Sequence, residues 1–413
     1  MVSPQRVAVV GAGMVGLSTA WFLQERGAEV AVFDRTGVAA GASWGNAGWL
    51  APALTTPLPE PAVLRYGLRA VLSPRSPVYV PIRPDLALLR FLVGFARHCT
   101  GARWRRAMRA YVPLNDRALD AFDLLEAGGV AAPTKAAEPF LACFRTEADR
   151  RTLQAELAEV EELGQKVDVE VLDGAEARRR EPALTEEVGA ALQLHGQRFI
   201  DPPRFVAALG TAVQERGGAL HTGVTVHSVV DLGGVVALHT DEGLHRFDAV
   251  VVATGAELNR LTGKYGVRRL VQAGRGYSFS VPAPRIPAGP IYLPTQRVAC
   301  TPLSGRLRVA GMMEFRRAGE PLDPRRIRAI ADAVRPFLRD LDLDDRRDEW
   351  VGSRPCTDDG LPLIGPTRSR RVFAAGGHGM WGIVLGPLTG QLVAEAVLTG
   401  RTPPELAATD PLR

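Results

Sequence analysis

The sequence predicts an α/β protein with a second, α+β part, and three observations carry this prediction. The chain opens with a strand, a glycine-rich turn, a helix and another strand, the usual beginning of a parallel sheet covered by helices. Further β-branched runs alternate with helical periods in the middle of the chain. With 413 residues, 46% of them apolar, the chain is long enough for two packed regions, each with its own core.

The opening unit has clear bounds. A β-branched run at Arg6–Val10 predicts a buried strand, and Gly11-Ala-Gly-Met-Val-Gly16 follows it directly. An amphipathic helix then runs to Gly27, and a second strand at Glu29–Phe33 is closed by Asp34. This arrangement predicts a Rossmann-type dinucleotide-binding unit.

Each glycine of the turn has a separate task in such a unit. Gly11 permits the tight turn, Gly13 lets the backbone approach a pyrophosphate, and Gly16 lets the helix pack closely on the strand. The free N–H groups at the helix start favour phosphate, and Asp34 stands where an acid accepts ribose hydroxyls. Three neighbours of these residues complete the predicted contacts: Met14, Val15 and Arg35. The motif alone also allows an NAD-dependent dehydrogenase or a tight turn without a ligand.

Positive charge is concentrated between residues 61 and 110. Ten arginines stand there against the single acid Asp85, so the segment carries +9 and the rest of the chain −4, which gives the net charge of +5. The ten are Arg65, Arg69, Arg75, Arg83, Arg90, Arg97, Arg103, Arg105, Arg106 and Arg109. Interleaved leucines and phenylalanines make peripheral contact with an anionic membrane one interpretation, and a solvated helical face the other. No nucleic-acid-recognition motif accompanies the charge.

Cysteine usage and hydropathy narrow the expected environment. The four cysteines form no Cys-x-x-Cys pair, so we expect neither a metal site nor a disulfide framework. We find no secretory leader before the first strand and no apolar run of membrane-spanning length. These features predict a cytoplasmic protein that is not integral to a membrane but could lie peripherally on its inner face.

A small-residue loop after the second strand looks suited to a flat ring. In Gly41-Ala-Ser-Trp-Gly-Asn-Ala-Gly48, the side chains of Ser43 and Asn46 can form hydrogen bonds, while Ala47 and Gly48 allow close backbone approach. The pattern Ser-x-x-Asn-Ala-Gly resembles the D-amino acid oxidase superfamily of FAD-dependent oxidoreductases, and within it the D-amino acid dehydrogenases. A surface turn is the alternative interpretation of the loop.

A second resemblance to this superfamily lies near the C-terminus. Gly352-Ser-Arg-Pro-Cys-Thr-Asp-Asp-Gly-Leu-Pro-Leu-Ile-Gly365 is similar to its Gly-x-Arg-Pro signature, in which the arginine binds the substrate carboxylate. A planar guanidinium suits this role because its paired donors match a carboxylate, which assigns Arg354 to the substrate. Alternatively, Arg354 is structural and pairs with Asp358 or Asp359.

The resemblance implies further site residues. It assigns seven residues to the flavin: Val224, Ala253, Gly255, Gly379, Met380, Trp381 and Gly382. The last four are expected to form a turn at the start of a helix, where backbone N–H groups face the reduced flavin. It assigns Tyr277 and Trp49 to the neighbourhood of the substrate and His378 to a catalytic position beside the flavin. A core tyrosine is the alternative for Tyr277, and a capping or packing histidine is the alternative for His378. FAD is expected to be non-covalent, since Gly45 replaces a tethering histidine and no cysteine follows Cys356.

The resemblance also implies a division of the chain and a reaction. We expect a Rossmann-type FAD-binding domain from residues 1–55, 145–260 and 350–413, and a sheet-based substrate domain from 56–144 and 261–349. The implied reaction is oxidative deamination of a D-amino acid to a 2-oxo acid and ammonia, by hydride transfer to flavin N5, with quinone or oxygen as electron acceptor. One alternative reaction is the oxidation of a secondary amine such as sarcosine, hydroxyproline or another N-substituted amino acid. The other alternative is that the chain is a flavin-binding subunit that only relays electrons.

Overall fold

The computed structural model describes residues 4–61, 76–81 and 84–413. The strands are β1 (Arg6–Val10), β2 (Glu29–Asp34), β3 (Trp49–Leu50), β4 (Val78–Tyr79), β5 (Lys135–Ala136), β6 (Leu141–Phe144), β7 (Val169–Asp173), β8 (Ala190–Leu194), β9 (Arg198–Phe199), β10 (Ala219–Thr222), β11 (Val226–Asp231), β12 (Val236–Thr240), β13 (Gly243–Phe247), β14 (Ala249–Val252), β15 (Val271–Val281), β16 (Ile291–Leu293), β17 (Val298–Leu303), β18 (Arg306–Phe315), β19 (Arg347–Thr357), β20 (Leu363–Pro366) and β21 (Val372–Gly376).

Helices lie between them throughout the described chain. They are α1 (Met14–Glu25), α2 (Leu86–His98), α3 (Gly101–Asp116), α4 (Ala118–Ala127), α5 (Glu147–Glu162), α6 (Gly174–Arg180), α7 (Pro202–Glu215), α8 (Leu258–Thr262), α9 (Pro324–Val334) and α10 (Gly386–Thr399). None of these described helices has both the length and the apolar character that crossing a bilayer requires.

A six-stranded sheet forms the first layer, in the order β10-β2-β1-β14-β21-β20, and only the pair β20–β21 is antiparallel. Alternate residues of β1 enter different cores, because successive side chains of a strand point to opposite faces. Val7 and Val9 pack with α1, α7 and α10, whereas Ala8 and Val10 pack with the three-stranded sheet β11–β13. Both faces are covered, which explains the continuous apolar run of β1.

The predicted opening unit is confirmed in its order and nearly in its bounds. Helix α1 begins after Gly13 and ends before Gly27, whose φ of 86° is the left-handed conformation that terminates helices. Helix α10 packs directly against α1, and Gly390 makes this close approach possible. A Cβ atom at Gly390 would lie 2.6 Å from the backbone of Ser18 and Thr19.

A nine-stranded, mainly antiparallel sheet forms the second part of the described chain, in the order β19-β15-β18-β17-β16-β6-β8-β7, with β4 beside β18. One face carries an apolar core closed by α9. The sheet includes β7 and β8, although we assigned residues 145–260 to the FAD-binding domain. Helix α5 lies between β6 and β7 in the chain, and both of these strands belong to this second sheet. We therefore propose to count residues 137–194 with the substrate domain.

The packing of α10 on α1 leads to a stability prediction. We expect Gly390→Ala to lower the free energy of unfolding by about 1–3 kcal/mol, because a methyl group placed against backbone cannot be accommodated without movement, even though alanine favours helices. Chemical unfolding of the purified protein measures this change. Gly234→Ala is the matched control, since nothing lies within 4 Å of its Cβ position. Equal stability of the two variants would contradict the proposed close packing.

Candidate active site

A cavity of about 350 Å³ lies where the carboxyl ends of β1 and β14 meet strand β19 of the second sheet. Clefts of this size beyond the strand ends of an α/β sheet commonly bind ligands. Sixteen of the predicted site residues line it: Gly11, Gly13, Met14, Val15, Asp34, Arg35, Ser43, Asn46, Val224, Ala253, Gly255, Arg354, His378, Gly379, Met380 and Gly382. Residues that are up to 371 positions apart in the sequence, Gly11 and Gly382, thus share one cavity.

The three turn glycines differ in what surrounds them. A Cβ atom at Gly11, whose φ is 117°, would lie 2.4 Å from the carbonyl oxygen of Ala253, and one at Gly16 would lie 1.9 Å from that of Gly11. Gly13 has a different environment, because its Cβ position meets only the hydroxyl of Ser43, at 3.2 Å. Gly11 and Gly16 are therefore required by packing, while Gly13 keeps the cavity open at the start of α1.

Two polar side chains, those of Ser43 and Asp34, hold the glycine turn and the start of α1 in place by hydrogen bonds. The hydroxyl of Ser43 accepts a hydrogen bond from the N–H of Met14 at 3.1 Å, which leaves its own proton available to an acceptor in the cavity. The carboxylate of Asp34 accepts hydrogen bonds from the N–H groups of Ala12 at 2.9 Å and Thr36 at 2.8 Å. Asp34 thereby ties the end of β2 to the glycine turn, and its remaining lone pairs can accept hydroxyl protons.

These surroundings fit the adenosine and pyrophosphate portions of FAD. The first-turn N–H groups of α1 have no partner within the helix and attract phosphate. The Oγ1 atom of Thr254, another lining residue, is shielded from solvent and has no hydrogen-bond partner in the described structure. Such an unsatisfied polar atom is expected where a bound polar group supplies the partner.

The predicted ring-binding loop is held by hydrogen bonds to its surroundings. The side-chain oxygen of Asn46 accepts from the N–H of Gly48 at 2.8 Å, and the carbonyl of Ala47 accepts from the hydroxyl of Thr301 at 2.7 Å. Gly48, with a φ of 81°, lies so close to Ile200 that a Cβ atom would be 2.3 Å from its carbonyl oxygen. Ala47 and Gly48 thus shape the loop from behind, while Ser43 and Asn46 face the cavity.

Arg354 presents a cation without a carboxylate partner. Its Nη1 atom donates to the carbonyl oxygen of Met312 at 2.6 Å, and its guanidinium lies over Gly276, where a Cβ atom would be 2.3 Å from the Cζ atom. Burial lowers the pKa of this guanidinium. Asp358 and Asp359, the alternative partners, instead pair with Arg269. Within the described residues, no acidic side chain pairs with Arg354.

A β-bulge aims the carbonyl that holds Arg354. Strand β18 shifts its register against β15 at Gly276, so that Met312 and Met313 stand opposite this single residue. Met312 has a φ of 66°, a left-handed conformation that is costly for a residue with a long side chain. Bulges and strained residues of this kind concentrate next to active sites, where they redirect a group.

His378 lies in the cavity wall as a neutral imidazole. It is 1% exposed, and its Nε2 atom is 2.9 Å from the Oγ1 atom of Thr389. Burial lowers the pKa of His378 to about 4, because a charged ring is poorly solvated there. At neutral pH, His378 is therefore uncharged, and its Nδ1 atom can donate or accept one hydrogen bond, depending on the tautomer.

The glycine turn after β21 does not form the first turn of the helix, contrary to the sequence prediction. Helix α10 begins at Gly386, after the turn over Gly379–Gly382. Pro387 explains the difference, since proline lacks an N–H group and is accommodated in the first turn of a helix. Gly379, Met380 and Gly382 still line the cavity, but the helix start lies beyond them.

The structure places Trp49, Tyr277 and Trp381 outside the lining of this cavity. The indole N–H of Trp49 donates to Thr301 at 2.9 Å, and that of Trp381 donates to the carbonyl of Thr56 at 2.7 Å. Tyr277 is buried on the opposite face of the second sheet.

On that buried face of the second sheet, the hydroxyl of Tyr277 donates a hydrogen bond to the carboxylate of Glu314 at 2.6 Å. This position agrees with the alternative interpretation of Tyr277 as a core residue.

Several lining residues with large side chains were missed, among them Phe33, Arg260 and Trp350. Trp350 is two positions before Gly352 and four before Arg354 on β19, so the three share one face of the strand. The alternation Trp-x-Gly-x-Arg contains this signal, because a residue two or four places from a site residue on a strand faces the same side.

Comparison with known protein families identifies the chain. Residues 6–396 match the family DAO, FAD dependent oxidoreductase. The chain belongs to the DAO family. The resemblance inferred from the two motifs is therefore confirmed, and so are the flavoprotein class and FAD as the cofactor.

Individual DAO relatives match over nearly the whole chain. D-amino acid dehydrogenase from Cereibacter sphaeroides is 30% identical over 98% of this chain and 94% of its own length. D-amino acid dehydrogenase from Rhizorhabdus wittichii is 30% identical over 96% of this chain and 97% of its own length. Among solved structures, glycine oxidase from Geobacillus kaustophilus superimposes with a TM-score of 0.75 at 24% identity, covering 99% of both chains. That structure shows the shared DAO fold.

The neutral state of His378 predicts an acid-sensitive core. The unfolded chain binds a proton near pH 6.5, whereas the folded protein binds it only near pH 4. The contribution of His378 to stability is therefore complete above pH 6.5 and is lost as the pH falls toward 4, by on the order of 3 kcal/mol.

His378→Gln removes this titration and retains an amide that can bond to Thr389. We expect its free energy of unfolding to fall less between pH 7 and pH 4 than that of the wild type, as measured by urea unfolding at each pH. Parallel pH profiles of the two proteins would show that His378 does not titrate as described.

Proposed function

We propose that this DAO-family enzyme oxidises a D-amino acid to a 2-oxo acid and ammonia. The observation that carries the proposal is the guanidinium of Arg354, which is buried at the cavity and has no carboxylate partner in the described chain. A buried cation is costly unless an anion compensates it, and a substrate carboxylate is the anion that matches a planar fork of donors. The two D-amino acid dehydrogenases at 30% identity support the D-configuration.

The chain's own residues mainly bind and orient in this reaction. Nη1 of Arg354 is engaged by Met312, so Nη2 and Nε remain for the two carboxylate oxygens. FAD, when bound, would supply the acceptor for the α-hydrogen and its electron pair at flavin N5. A substrate fixed through its carboxylate and presenting a neutral amine loses that hydrogen as hydride, and the resulting imino acid is hydrolysed by water.

We further propose that FAD is bound non-covalently by the predicted residues of the cavity. The lining contains no cysteine, and its one histidine, His378, is bonded through Nε2 to Thr389. Ser43 and the turn at Gly13 face the pyrophosphate in this proposal, and Asp34 faces the ribose.

Substitution of Arg354 tests the assignment of the substrate. We expect Arg354→Ala to lower kcat/KM about thirty-fold to several-thousand-fold, because a buried charge contact is worth roughly 2–5 kcal/mol. Flavin content should barely change. Arg354→Lys should restore only part of the loss, because a point charge cannot reproduce two-pronged binding.

Arg269→Ala is the matched control. Arg269 pairs with Asp358 and Asp359, so its loss should lower stability rather than substrate affinity. Kinetics with D-amino acids, L-amino acids and N-methyl amino acids distinguish the proposal from its alternatives. A folded, yellow Arg354→Ala enzyme with wild-type turnover would show that Arg354 does not bind the substrate carboxylate. A preference of the wild-type enzyme for an N-methyl amino acid would favour oxidation of secondary amines.

For the electron acceptor, we propose a quinone reached through peripheral contact with anionic lipid. Helix α2 exposes Leu86, Leu89 and Val93 to 84%, 57% and 44%, and Arg90 and Arg97 are also exposed beside them. Apolar side chains flanked by arginines suit the interface of an anionic membrane. Four arginines of the basic segment lie outside the described residues: Arg65, Arg69, Arg75 and Arg83.

Vesicle binding tests this second proposal. The enzyme should co-sediment with vesicles that contain phosphatidylserine at low salt and dissociate as salt screens the charges. Leu86→Glu combined with Leu89→Glu should weaken binding, whereas Leu232→Glu, at a leucine that is 56% exposed elsewhere, should not. No binding at low salt, together with rapid production of hydrogen peroxide, would instead indicate oxygen as the acceptor.

A further inference from the structure

The indole of Trp350 lies flat on backbone inside the cavity. A Cβ atom at Gly45 would be 2.0 Å from its Cε3 atom, and one at Gly352 would be 1.9 Å from its Cη2 atom. The ring therefore occupies space that any other residue at either position would fill. Gly45 belongs to the ring-binding loop and Gly352 to β19, so Trp350 bridges the two parts of the site.

The indole and the guanidinium of Arg354 converge on one pair of glycines. Gly352 and Gly276 are opposite one another in the antiparallel pair β19–β15, where paired Cα atoms are about 4.5–5.5 Å apart. Trp350 leans over Gly352, and Arg354 leans over Gly276. The two glycines thus make room for an aromatic ring on one strand position and for a cation on the neighbouring one, and both side chains line the cavity.

A second layer holds the indole in place. The ring centroids of Trp44 and Trp350 are 6.4 Å apart. Arg308, which is 1% exposed, donates to the carbonyl oxygen of Trp44 at 2.7 Å and places its guanidinium 5.0 Å from the centre of that ring. A large side chain packed on backbone and supported from behind loses little freedom when a ligand binds, so it is suited to set the size of a pocket.

We propose that Trp350 is the wall that limits the size of the substrate side chain. This inference rests on the proposed function, because it takes the carboxylate to be held by Arg354. Trp350 is four positions before Arg354 on β19 and lines the same cavity, so the side chain of a substrate anchored at Arg354 meets the indole. The wild-type enzyme accordingly prefers D-amino acids with small side chains. Gly45 and Gly352 provide the space that the indole occupies.

Substitution of Trp350 tests the wall directly. In Trp350→Ala, the ratio of kcat/KM for D-phenylalanine to that for D-alanine should rise by about ten-fold or more, since a few methylene groups of pocket space are worth that much discrimination. Trp350→Phe should shift the ratio in the same direction by less. Trp104→Phe is the matched control, because Trp104 is 7% exposed in the helical core and does not line the cavity, so its ratio should equal that of the wild type.

A binding experiment separates this inference from the proposed reaction. Acetate, isobutyrate and benzoate are titrated into the yellow holoenzyme, and the perturbation of flavin absorbance gives each Kd without turnover. The wild type should bind the small carboxylates in preference to benzoate, and Trp350→Ala should reverse or flatten that order.

Each outcome decides between the two claims. If wild type, Trp350→Ala and Trp350→Phe bind the carboxylates with the same order of Kd values, Trp350 does not limit the size of the ligand. The role of Arg354 would be unaffected by that result. No carboxylate binding by the wild type would overturn both. Gly45→Ala gives an independent check, since its Cβ must displace the indole: its size order should change, and an unchanged order would count against the wall.

Discussion

The buried guanidinium of Arg354 is the constraint on which the rest of the site depends. It needs a carbonyl partner, which the bulge at Met312 supplies, and it needs room, which Gly276 supplies. Asp358 and Asp359 do not pair with it, because Asp358 pairs with Arg269 and Asp359 pairs with Arg269 and Arg413. The fold thus keeps one cation uncompensated at the point where the second sheet meets the dinucleotide-binding sheet, and a ligand must supply the missing charge.

Close backbone packing places the cofactor relative to this cation. Gly16 lets α1 approach the turn at Gly11, and Gly390 lets α10 approach α1, so that the start of α1 is held at the cavity. The site is therefore set by contacts in which a single methyl group would have to displace backbone. This kind of packing explains how residues far apart in the sequence form one cavity.

Local signals in the sequence predicted the parts of the fold that depend on neighbouring residues. The opening unit and most lining residues follow from turn chemistry and strand periodicity, whose physical causes act over a few residues. The membership of β7 and β8 in the second sheet did not follow, because helix α5 has the same period whichever sheet it joins. The position of Tyr277 could not be predicted from the sequence either, because the strand pattern does not indicate which face of β15 is turned toward the cavity.

The central claim is that a carboxylate held by Arg354 presents a D-configured α-hydrogen to the flavin. Anaerobic mixing of the purified holoenzyme with single amino acids tests it most directly, because the loss of flavin absorbance reports hydride transfer without any external acceptor. The account predicts that D-alanine bleaches the flavin and yields pyruvate and ammonia, while L-alanine does not. Bleaching by L-alanine or sarcosine alone, or an oxidised flavin with every amino acid tried, would contradict it.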